Sequence, residues 1–189
     1  MKAYDLASLD SKDPQIKYGM QKRILELSAS HPETLYPDFD YFVRLLDSPN
    51  NILLWTGILV IGNMARIDRD HKIEPVLPQL VSRLNTGKMI TAGNTIKALG
   101  EVIKAKPTLA DPLTREILKV KNYHYDTEEC DNIAIGHALK NLEPVWELLS
   151  TDVQGEVIQF ARGELHNPRP ATAKKAEKML KKVAPGSLL

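Results

Sequence analysis

The residues best suited to do chemistry gather in one short stretch, Tyr123-His124-Tyr125-Asp126-Thr127-Glu128-Glu129-Cys130-Asp131. It holds a histidine, the chain's single cysteine and four carboxylates, all of them metal-ligand types. His137 follows Cys130 by seven residues, so on a helix the two share a face. A Cys–His pair so placed has the ingredients for a metal site or a reactive thiolate at His124, Cys130 and His137. No third partner stands at a recognised ligand spacing, and the ordinary reading is a buried thiol beside a satisfied histidine. The expectation is therefore no metal, no cofactor and no catalytic residue. Phosphate-binding glycine loops, nucleophile elbows and HExxH are absent from the sequence.

A second set of candidates is cationic. Arg44, Arg83, Lys119 and Arg162 recur at comparable levels of successive helical segments. Aligned on stacked helices they make a basic row with a rise of about 10 Å per helix, able to meet phosphates or an acidic peptide. Glu116, Glu156 and Glu164 lie close by in sequence, and the competing reading is a solvated face of mixed charge. Trp55 and Trp146 are the only tryptophans. Trp146 follows Pro144 in a segment, 143–150, that interrupts the fourth helix pair. Exposed there, it would be a contact residue, although core packing is the expectation for both tryptophans.

The elements that must position these groups read as helices throughout. Four stretches carry helical apolar spacing: Ile16 to Ala29, Ile52 to Ala65, Ile90 to Ala105 and Ile133 to Leu142. Aligned, they place Leu25, Ile61, Leu99 and Leu139 in one column, at spacings of 36, 38 and 40 residues. A second helical segment follows each: Phe39 to Leu46, Val76 to Leu84, Leu113 to Val120 and Val153 to Leu165. Pro37, Pro75 and Pro112 open three of them, since proline suits a first helical turn. Asp152 opens the fourth as an N-cap. The lysine-covered segment Ala171 to Val183 reads as a terminal amphipathic cap. No alternating strand pattern is present.

Thr95-Ile96-Lys97-Ala98-Leu99-Gly100-Glu101-Val102 resembles the core of HEAT-like repeats of the prokaryotic type. The stretches from Ile58 to Met64 and from Gly136 to Leu142 are weaker copies. The Asp and Arg pairing of eukaryotic HEAT repeats is not clearly preserved. The resemblance implies an all-α, right-handed α-α superhelix of about four HEAT-like helix pairs plus a C-terminal capping helix. One domain, 1–189, is expected, with repeats at 13–48, 49–87, 88–126 and 127–167 and a cap at 169–184. Gly62 and Gly100 fit places where a neighbouring helix packs closely.

Composition bounds the function. Hydrophobic residues make up 43% of the 189 and charged residues 26%, a globular balance rather than a disordered one. With 25 basic against 24 acidic residues, the net charge of +1 argues against wide phosphate neutralisation. A lone cysteine, an N-terminus without an apolar core and no apolar run of membrane-spanning length lead to the expectation of a cytoplasmic, non-membrane protein. The resemblance implies a non-catalytic scaffold that holds a protein or peptide partner on the concave face of the solenoid. Arg44, Arg83, Lys119, Arg162 and Trp146 are its candidate contacts. The alternative it implies is a nucleic-acid-binding or DNA glycosylase-like base-repair protein using the same row.

Overall fold

The computed structural model describes residues 4–183. The last residue of the expected cap, 184, lies outside the described residues, as do residues 1–3 of the N-terminus. The helices are α1 (Pro14–Ser30), α2 (Phe39–Leu45), α3 (Asn51–Met64), α4 (Leu77–Ser82), α5 (Met89–Ala105), α6 (Ala110–Leu118), α7 (Glu128–Leu142), α8 (Thr151–Gly163) and α9 (Pro170–Val183). No strand occurs among the described residues.

Local chemistry sets the helix starts. The Asp13 carboxylate accepts the Gln15 N–H at 2.8 Å, with Pro14 at the first helical position. Asn50 caps α3 by accepting from Ile52 N and Leu53 N. Thr127 caps α7, as the acidic turn behind it suggested. In α8 the cap is Ser150, whose hydroxyl accepts from Val153 N; Asp152, expected in that role, sits in the first turn instead. The turn Asn85-Thr86-Gly87 needs a left-handed residue, and Gly87 supplies it at φ 72°.

A 3-10 turn carrying proline precedes each second helix: Pro32–Thr34, Glu74–Val76, Pro107–Leu109 and Glu143–Leu148. The segment 143–150 therefore interrupts nothing. It is the fourth copy of a corner that every pair has. A further 3-10 turn, Leu6–Asp10, packs on α1 and buries Leu9 completely.

The longer helices stack in chain order, α1 on α3, α3 on α5, α5 on α7 and α7 on α9. Helix α3 is apolar all round because it lies under α2 and between α1 and α5. Ile61, Leu99 and Leu139 of the sequence column are at most 1% exposed, and Leu25 packs against the same core. Close approach has a cause in two small residues. A Cβ on Gly62 would stand 2.6 Å from the Ala98 Cα, and one on Gly57 would stand 2.7 Å from the Phe42 carbonyl oxygen.

Polar links then tie each level to the next. Trp55 Nε1 donates to Thr91 Oγ1 at 2.9 Å, and Asn63 Nδ2 donates to Ser28 Oγ at 2.9 Å. The corners are joined through Asp68. Its side chain is fully buried, accepts from the Tyr36 hydroxyl at 2.6 Å and pairs with Lys106 at 3.0 Å. Lys106 also reaches Glu74 at 2.9 Å. The side-chain hydrogen bonds that join neighbouring levels span from 30 residues, Tyr4 to Thr34, up to 41, Tyr125 to Leu84. That is about one repeat.

Candidate functional site

The Tyr123–Asp131 stretch does not assemble into a ligand set. His124 Nδ1 lies 3.2 Å from Asp131 Oδ2, but its side chain is 90% exposed. The other Asp131 oxygen accepts the Tyr125 N–H at 2.7 Å, which fixes the turn into α7. Cys130 is half-buried, and its backbone N–H donates to the Thr127 hydroxyl. His137 lies two turns on, with its ring against the backbone of Gly93 in α5. Among the described residues no three His, Cys, Asp or Glu side chains are placed to hold a metal ion.

The basic row on the second helices is interleaved with carboxylates. Arg83 Nη2 pairs with Asp47 Oδ1 at 2.8 Å, and Gln79 also donates to Asp47. Lys119 pairs with Glu116 at 2.7 Å. Arg115 joins Glu156 at 3.0 Å, linking α6 to α8. Arg44 is exposed and lies over the Tyr41 ring at 5.6 Å. Arg162 is exposed with no carboxylate partner among the described residues. Trp146 is only 9% exposed and belongs to the core, so it offers a partner almost no surface. The proline-bearing corner explains this, because it turns the indole inward under α5. Trp55 is half-buried at the α3–α5 seam.

A different cationic group lies on the outer face of the first-helix layer, across α5, α7 and α9. His137 leans toward Gly93 of α5. Lys175 of α9 leans the same way, toward α7, its ammonium 3.1 Å from the place a Cβ on Gly136 would occupy. Lys140 is exposed one turn along α7. At 100° per residue it projects between the directions of Gly136 and His137. Lys97 is exposed at the corresponding offset beyond Gly93. Arg169, at the entry to α9, pairs with Glu129 at 2.8 Å.

Around His137 and Lys175 the electrostatics are one-sided. Burial lowers the His137 pKa below the ordinary histidine value, and the charges of Lys175, Lys140 and Arg169 lower it further. Burial also lowers the Lys175 pKa, with Arg169 and Lys140 adding to the effect. Several carboxylates beside these cations are committed elsewhere: Glu101 to Lys104, Glu143 to Lys178 and Lys182, and Glu177 to Lys181. Sequence reasoning missed the group because His137 was assigned to Cys130. The pattern of a glycine followed four residues later by a cation, Gly93 to Lys97 and Gly136 to Lys140, was the available signal.

The stacking order of the long helices, each against the next, decides the architecture. The fold is a HEAT/armadillo-like α-solenoid. A solved engineered protein from the Northeast Structural Genomics Consortium superposes on the solenoid with a TM-score of 0.54. The two are 16% identical, and the match covers 95% of this chain and 78% of that one. A designed armadillo repeat protein matches over 94% of this chain and 97% of its own length, at 15% identity and a TM-score of 0.40. No family model matches the sequence, and no curated protein matches it. No helix among the described residues of the solenoid is long and apolar enough to cross a membrane.

Proposed function

We propose that the solenoid is a non-catalytic interaction scaffold for a protein or peptide partner. The observation that carries this reading is the apolar exposure at the starts of the first helices. Ile16 is 51% exposed, Tyr18 48% and Ile90 50%, and among the described residues the other exposed large apolar side chain is Leu148 at 37%. Ile16 stands in the first turn of α1 and Ile90 in that of α5, with the half-buried Ile52 in the same place on the intervening α3. Apolar side chains held on a rigid stack lose little conformational entropy on binding, so contact with a partner is favoured by their burial. The nucleic-acid alternative draws less support. Arg83 and Lys119 of its row are already paired, and a carboxylate beside each cation weakens the attraction for phosphate.

Affinity capture from source-cell lysate tests the reading, using wild type beside an Ile16→Asp/Ile90→Asp variant. A stoichiometric protein held by wild type and lost by the variant is expected. Recovery of nucleic acid in its place, released by high salt, would refute the scaffold reading.

A further inference from the structure

We infer that Lys97, His137, Lys140 and Lys175 form a docking surface for an acidic, carboxylate-rich segment of a protein partner. The inference rests on the scaffold reading and specifies one face of it. Three features support this occupant. The first is charge segregation: Lys97, Lys140 and Lys175 have no carboxylate within ion-pair distance among the described residues, whereas Glu101, Glu143 and Glu177 beside them are paired with other cations. Like charges gathered without neutralisation raise the energy of the free protein, and an arriving anion relieves that cost.

The second feature is placement. Two of the four groups are held against backbone rather than waving in solvent, His137 over Gly93 and Lys175 over Gly136. Held so, they surrender less side-chain freedom when a ligand arrives. The third is the spread of the charges over three consecutive helices. An extended acidic segment can place successive carboxylates on α5, α7 and α9. A single phosphate suits convergent donors and a free guanidinium, and Arg169, the arginine at this face, already holds Glu129. A long nucleic acid would run onto flanking carboxylates such as Glu101 and Glu143, and the chain's net charge of +1 offers little attraction beyond the patch.

The test uses the full chain and a fluorescein-labelled polyglutamate peptide, read by anisotropy at low and near-physiological salt. Wild type is expected to bind, and Lys140→Glu/Lys175→Glu to weaken binding at least about tenfold. Arg44→Glu/Arg162→Glu, on the other layer, is expected to stay within about twofold of wild type. Circular dichroism confirms folding, and Lys140→Gln/Lys175→Gln provides a milder variant should charge reversal disturb it. On adding peptide, the His137 ring resonance is expected to titrate at higher pH, because neighbouring carboxylates favour its protonated form. Equal losses in both reversal variants would reduce the effect to net charge and overturn the inference. No binding by wild type, or tighter binding of an oligonucleotide of equal charge, would overturn it as well. In lysate capture, a partner retained by Lys140→Glu/Lys175→Glu removes this surface and leaves the scaffold reading standing. Absence of any captured protein removes the scaffold reading instead.

Discussion

Replacing Lys106 by methionine isolates the energetic role of the buried corner network. Methionine preserves the chain's length and apolar stem while removing the ammonium. Asp68 has four donors: the Tyr36 hydroxyl at 2.6 Å, Lys72 N at 3.0 Å, Ile73 N at 3.1 Å and Lys106 Nζ at 3.0 Å. Three survive the substitution, and the Glu74 side chain, 36% exposed, keeps His71 at 3.1 Å. Removing one partner of a buried pair costs about 3–5 kcal/mol, and with three donors retained the cost falls near ~3 kcal/mol. For a chain of this size ~3 kcal/mol lowers Tm by roughly 6–12 °C. The assay is thermal unfolding followed by circular dichroism across pH. Burial raises the Asp68 pKa, but the hydrogen bonds from Tyr36, Lys106 and the two backbone N–H groups outweigh it and leave the carboxyl below its usual range. Glu74 is lowered too, first by its bond to Lys106. The unfolded chain therefore holds more protons on these groups in acid. The stabilisation is complete above the ordinary carboxylate range, about pH 4–5, and is lost as pH falls through the folded values. The wild-type advantage over Lys106→Met is expected at neutral pH and should shrink in acid. A Tm loss under about 3 °C at pH 7 would refute the argument, as would a gap that does not change with pH.

The packing and the charges lead to further outcomes. Gly62→Ala drives a methyl into the Ala98 backbone and is expected to cost about 1–3 kcal/mol. Gly19→Ala, on a helical position with open space around it, should stabilise by roughly 0.5–1 kcal/mol; urea denaturation compares the two. His137, depressed by burial and then by Lys175, Lys140 and Arg169, binds its proton less readily folded than unfolded. Its contribution to stability is therefore present above about pH 6.5 and lost as pH falls from there through the folded value. Lys140→Gln should raise the NMR-measured pKa of His137, and an unchanged value would remove Lys140 from its surroundings.

The core column was legible in the sequence because burial imposes one apolar type at one helical phase, and Ile61, Leu99 and Leu139 obey it. The proline signals were legible too, but they marked the 3-10 corners as much as the second helices. That is why Glu143–Leu148 looked like an insertion and Asp152 like a cap. The candidate site was less legible. Whether a lysine is neutralised depends on which side chain the next helix places beside it. Arg83 meets Asp47 of the preceding pair, while Lys175 meets the bare backbone of Gly136. Such pairings are fixed by the register between stacked helices, which a periodic pattern within one helix does not specify.

The one-repeat span of the linking hydrogen bonds has a mechanical consequence. The side-chain bonds described above each join one level to the next, so tension applied at the two ends of the described residues passes through the interfaces in series. The weakest seam yields first, and its neighbours keep their own contacts. Under steady pulling, extension should come as a sequence of steps. Each would release one unit of chain, about 120–140 Å of contour for some 36–40 residues.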